Sequence, residues 1–150
     1  MGADSRRHRR VSARAPGLGC GAALLEGGRL LLIKRRKPPE AGHWSLPGGK
    51  VDYLEVVEDA VRREIREEIG VEIELLRPLF LSQMLGIDDA HWVSPVFAGR
   101  IVSGDPRICE PDKIAGLLWA SLDDPPAPLA SPAREAIRLL RPSAAQARTA

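Results

Sequence analysis

The feature that most constrains this chain is the stretch EVVEDAVRREIREEIG, from Glu55 to Gly70. Its apolar residues recur at helical spacing, and a glycine follows the last of them. The pattern predicts a helix over about 55–69, closed by Gly70, because glycine enters the left-handed region without a Cβ penalty. On a wheel of about 100° per residue with Glu64 at zero, Glu67 falls near −60° and Glu68 near +40°. Val61, Ile65 and Ile69 occupy the adjoining sector, at about +60° to +140°. The helix therefore buries an apolar stripe and lines its edge with three carboxylates. Arg62 and Arg66 project to the opposite side. Only Arg63 flanks the acids, spaced for an i,i+4 pair with Glu67.

Three carboxylates on neighbouring turns repel one another, and that repulsion raises their pKa values. A solvated helix face would intersperse lysine or arginine among them, and for EIREE alone that is the ordinary reading. Here the bases sit elsewhere. A hard divalent cation resolves the conflict, since Mg²⁺ takes oxygen ligands. Pro47-Gly48-Gly49 upstream reads as a turn that ends a short strand (WSLPGG) and lets backbone groups approach a metal or phosphate.

The rest of the chain sets the frame. With 150 residues, 44% apolar and 28% charged, it fits one globular domain. The first sixteen residues hold Arg6, Arg7, Arg9, Arg10 and Arg14 and end at Pro16. They read as a flexible basic arm rather than a transit peptide. Residues 17–142 read as the domain and 143–150 as a frayed tail. LGCGAALLE and RLLLIKRR flank Gly27-Gly28, a hairpin signal. VEIELLRPLFLSQML reads as a strand up to Pro78, and HWVSPVFAGRIVSG and GLLWASLDD as further strands. SPAREAIRLLRP reads as a second helix, capped by Ser131, with Pro132 at its first position and Pro142 after its end. Strands with two interspersed helices predict an α/β fold, a mixed β-sheet with helices on its faces. Cys20 and Cys109 lack the spacing of a zinc site. No apolar run approaches the ~18 residues of a membrane span, so no membrane association and a cytoplasmic location are expected.

Counting from Gly49, five residues precede Glu55, seven more follow, and then comes Arg63-Glu64-Ile65-Arg66-Glu67-Glu68-Ile69-Gly70-Val71. This resembles the box of the Nudix (MutT-like) hydrolases, G-x5-E-x7-R-E-U-x-E-E-x-G-U, where U is aliphatic. Every specified position matches. GHWSLPGGKVD resembles the strand and loop before that box, and EPDKIAGLLWASLDDPP resembles the family's late acidic loop and tryptophan-bearing strand. The resemblance covers about residues 17–140. One departure is Leu54, where many relatives have glycine.

The resemblance implies an α/β/α sandwich and Mg²⁺- or Mn²⁺-dependent hydrolysis of a diphosphate linkage in a nucleoside diphosphate joined to another moiety. Carried over by position, Glu64, Glu67 and Glu68 are the metal carboxylates, with the Gly48 carbonyl as an additional ligand. Arg63 holds the acids. Gly49, Glu55 and Gly70 orient the loop and helix. The general base is left open among Glu64, Glu68 and the late-loop acid Glu110, with Asp112 second to it. Trp44, His91 and Trp92 are candidates for contact with the substrate, Trp44 foremost. Core packing is the expected role for Phe97 and the stronger one for Trp92. Markers of the ADP-ribose, NADH and coenzyme A subgroups are not reproduced, and the remainder resembles the small MutT-like nucleotide hydrolases. The expected substrate is therefore a nucleoside di- or triphosphate. A nucleotide sugar or dinucleotide, and a non-catalytic nucleotide-binding regulator of the same fold, are the alternatives. A homodimer and weak nucleic-acid contact through the basic arm complete the expectations.

Overall fold

A computed structural model describes residues 14–142. The expected arm over 1–13 and tail over 143–150 lie outside them. Strands β1 (Gly17–Glu26) and β2 (Arg29–Arg35) pair in register Leu25↔Leu30 and Glu26↔Arg29. Gly27 and Gly28 link them with φ of 57° and 74°. Two successive positive φ values are what a tight hairpin matching the strand twist requires.

β3 (Trp44–Ser45) and β7 (Ile114–Ser121) flank β2 antiparallel. β1 also pairs with β4 (Gly48–Lys50) antiparallel and with β6 (Ala90–Ser103) parallel, and β6 pairs with β5 (Glu72–Ile87). The sheet is mixed, as expected. It has helices on both faces, α1 (Val57–Ile69) and α2 (Ser131–Leu140). Alternation along the two central strands makes this possible. Ala22, Leu24, Leu31 and Ile33 face Val61, Ile65 and Ile69 of α1. Ala23, Leu30 and Leu32 face Ala133, Ala136 and Ile137 of α2. A strand buried on both sides reads as an unbroken apolar run, which is the text of RLLLI.

Four local expectations are corrected. Gly48 and Gly49 do not end a strand; they form β4 against β1. A Cβ on Gly48 would overlap the Cys20 carbonyl, so only glycine fits this pairing. β5 does not stop at Pro78 but continues to Ile87. It is an edge strand whose register shifts on both sides of the proline, and an edge tolerates a missing donor. α1 starts at Val57 because Glu55 is committed elsewhere: its Oε1 accepts the Asp52 N–H at 3.1 Å. Ser131 does not cap α2. Its N–H and hydroxyl donate to the carboxylate of Glu40, at 3.1 and 2.7 Å. Glu40 is 91 residues earlier and buried. Gly70 does end α1, with φ 70° and its N–H donating to the Arg66 carbonyl.

Candidate active site

The α1 stripe fixes the rotation of the helix about its axis, and so aims its acidic edge. Buried Val61, Ile65 and Ile69 face the sheet. Glu64 and Glu68 then meet the glycine strand β4. Gly49 has no side chain where the Glu64 carboxyl lies; a Cβ there would overlap it. The Gly48 N–H donates to Glu68 Oε1 at 2.9 Å. It is this amide, rather than the carbonyl, through which Gly48 is tied to the acids.

Arg63 is the hub of the cluster. Its guanidinium donates to both oxygens of Glu55 at 2.7 and 2.8 Å, to Glu64 at 3.0 Å, to Glu67 at 3.2 Å and to the Lys50 carbonyl at 3.0 Å. Asp52 stands 3.5 Å away. The spacing-based i,i+4 pair with Glu67 is present, but the bidentate pair with Glu55 is the stronger geometry. Arg66, read as solvent-facing, pairs with Glu72 at 2.8 Å.

Glu68 is 5% exposed. Burial, reinforced by Glu64 and Glu110 and opposed by the Gly48 amide, pushes its carboxyl up to about 8. Burial also raises Glu64, against the pull of Arg63. The Arg63 fork holds Glu55 down to about 2.

Glu110 reaches the same site from the far side of the chain. The Arg107 N–H donates to the Ile69 carbonyl at 3.0 Å, and the Cys109 N–H to the Glu68 carbonyl at 2.9 Å. These bonds dock the loop on the C-terminal end of α1 and bring Glu110 to the cleft that Glu64 and Glu68 line. Lys113 accompanies it, 3.2 Å from the Glu110 carboxylate. Asp112 points elsewhere, to Lys37 at 3.9 Å.

The cleft has a volume of about 450 Å³. Glu64, Glu68 and Glu110 line it, together with Trp92, Met84, Ser82 and Ser94. Arg35, Lys37, Lys50 and Lys113 also line it. None of these basic or hydroxyl residues is singled out by the sequence. The signal available was proximity in sequence: Lys50 follows Gly49 and Lys113 follows Glu110.

Of the three candidates for substrate contact, the structure brings only Trp92 to the cleft. Trp44 packs in the α2 core. Its backbone bonds Pro128 and Ala130, and its ring lies over Gly116. His91 is exposed on β6 opposite Leu85 and is not part of the cleft wall. Phe97 is buried in the α1 core, as expected.

The side-chain donors at the acidic end are all carboxylate oxygens, and burial raises Glu64 and Glu68. That is the chemistry a hard divalent cation fits. Among the described residues no three such side chains yet stand at ligating spacing, and the Arg63 guanidinium bonds Glu64 and Glu67 together. As arranged, the site can concentrate a cation and, through it, a polyanion beside the carboxylate cluster.

The family model for the NUDIX domain matches residues 15–140. A MutT NUDIX hydrolase from Burkholderia pseudomallei superposes with a TM-score of 0.81 at 48% identity, covering 85% of this chain and 99% of that one. A candidate 8-oxo-dGTP diphosphatase of Mycobacterium tuberculosis is 34% identical over 68% of this chain and 73% of its own length. An ADP-ribose pyrophosphatase of Methanocaldococcus jannaschii is 38% identical over 51% of this chain and 46% of its own. Matched over nearly its whole described length, with the carboxylate cluster in place on α1, the chain belongs to the NUDIX domain family of hydrolases.

Proposed function

We propose that this chain hydrolyses the diphosphate linkage of a nucleoside di- or triphosphate with the help of Mg²⁺ or Mn²⁺. The observation that carries the reading is the convergence of Glu64, Glu68 and Glu110 on one cleft whose walls carry Arg35, Lys37, Lys50 and Lys113.

Glu64, Glu67 and Glu68 would hold the cation. Once bound, it supplies Lewis acidity and cancels charge on the bridging phosphates. The chain's own residues do the rest. Arg63 fixes Glu64 and Glu67 through one guanidinium, so neither has to be ordered when substrate arrives. Lys113 and Arg35 offer positive charge to phosphate oxygens, stabilising negative charge that builds up on the departing phosphate. Glu110, facing the acids from a separate loop, is within the cleft to accept a proton from an attacking water. Glu64 and Glu68 remain candidates for that base.

The relatives' names support a nucleotide substrate. One is named for 8-oxo-dGTP and another for ADP-ribose; the first aligns over more of both chains. A triphosphate is therefore the leading substrate, and a nucleotide sugar such as ADP-ribose, or a dinucleotide, is the second.

Screening nucleoside triphosphates, ADP-ribose, dinucleoside polyphosphates and coenzyme A for hydrolysis products, with pyrophosphatase and alkaline phosphatase added to turn pyrophosphate and phosphomonoesters into phosphate, with Mg²⁺ and with chelator, tests this. Glu67→Gln and Glu68→Gln should each lose activity by orders of magnitude with the fold intact. Near wild-type turnover in both variants would overturn the assignment. A chain that binds nucleotides yet hydrolyses none of them would instead be a regulator.

A further inference from the structure

Gly21 of β1 lines the cleft beside the acids, and two more glycines precede it on the strand. Gly17, Gly19 and Gly21 alternate along β1. In a strand, alternate residues share one face. The same face carries Trp92 (partner of Gly17) and Val96 (partner of Gly21) on β6, and Lys50 (partner of Gly19) on β4. Two of these glycines are occupied by neighbouring side chains. A Cβ on Gly17 would meet Trp92 ring carbons at 2.6 Å, and one on Gly19 would overlap the Ser94 hydroxyl. The missing Cβ atoms let the indole lie down across β1 instead of standing out from the sheet.

The ring lies in the cleft wall, with the Lys50 ammonium 5.9 Å from its centroid. A cation at that distance is drawn to the electron-rich ring face, and a base stacking there would displace it. Ser82 and Ser94, cross-strand partners, and Met84, the partner of Trp92, stand beside it on the cleft wall. A flat aromatic surface bordered by hydroxyls suits a planar heterocycle with polar edges. Spacing agrees. Four residue steps along β1 lead from Gly17 to Gly21, the partner of Gly48, or about 13 Å at strand rise. Gly48 holds Glu68. That interval suits a ribose and its phosphates laid between a base and the acids.

We propose that Trp92, laid across Gly17, is the stacking platform for the base of the nucleotide, and that Gly17 is its positioning residue. The inference rests on the nucleotide reading above and assigns its base end.

The test measures binding by calorimetry, in Mg²⁺, for a nucleoside triphosphate and for inorganic tripolyphosphate, which has no base. Trp92→Leu should weaken the nucleotide about tenfold more than tripolyphosphate, in line with base–aromatic stacking. Trp92→Phe should recover most of that loss. Gly17→Ala, by tilting the ring, should weaken the nucleotide severalfold, and adding it to Trp92→Leu should cost nothing further. Equal weakening of both ligands in Trp92→Leu, additive losses in the double variant, or no nucleotide binding by the parent chain would overturn the proposal. Trp92-dependent nucleotide binding without hydrolysis of the nucleotide would sink the hydrolysis reading and keep the platform. Turnover indifferent to Trp92 would do the reverse.

Discussion

Arg63 and Glu55 meet fork to carboxylate, with Nε and Nη2 at 2.7 and 2.8 Å from the two oxygens. The pair joins the loop before α1 to the middle of the helix, and Arg63 spends its remaining Nη1 on Glu64 and Glu67. Lysine would keep the charge and lose the fork. Arg63→Lys should therefore reduce kcat by about tenfold or more, with the fold retained by circular dichroism. Parent-like turnover would mean the acids need no such anchor.

The same pair sets an acid limb. Glu55 ionises at about 2 when folded, against an ordinary 4.5. A depressed folded pKa gives stability that is present above 4.5 and lost as pH falls towards 2. Glu55→Gln should lower the melting temperature at pH 7 and flatten its decline between pH 4.5 and 2. Parallel curves for parent and variant would remove Glu55 from the account.

Leu54 stands in a backbone conformation that suits glycine. Its φ is 63°, and its side chain is 87% exposed. A leucine there carries the left-handed penalty, about 1–2 kcal/mol, and gains little burial in return. Leu54→Gly should stabilise the chain by about 0.5–1 kcal/mol once glycine's greater unfolded-state entropy is subtracted. Urea unfolding would measure it; a loss of stability would point to a contact made by Leu54.

Glu40 caps a helix it does not belong to. Its carboxylate takes the Ser131 N–H and hydroxyl, while its own N–H donates to Asp88 at 2.7 Å. It thereby ties the start of α2 and the β5–β6 turn to one wall of the cleft. Glu40→Ala should cost about 1–3 kcal/mol, the range for leaving buried donors unmet, and Ser131→Ala less. Urea midpoints with an unchanged m-value would check both.

Much of the site was legible in the sequence because it is local. Glu64, Glu67 and Glu68 share a helix edge by periodicity alone, and Gly70 ends that helix by the conformational freedom of glycine. The alternation of α1 against the sheet also follows from where Val61, Ile65 and Ile69 recur. What escaped was the identity of partners distant in sequence. Nothing near Ser131 names Glu40 as its acceptor. Trp44 looked the better aromatic because it neighbours the box, yet β3 turns it into the α2 core.

The chain's sequence by itself determined the helix, its acidic edge and the glycines that leave room for it, since helical period and Cβ sterics act over a few residues. Only tertiary structure decided which acids are buried, which loop brings Glu110 and which tryptophan faces the cleft. Those depend on strand register. A side chain's face and neighbours are set by pairing across the sheet, and one residue of slip would send Trp92 to the opposite face.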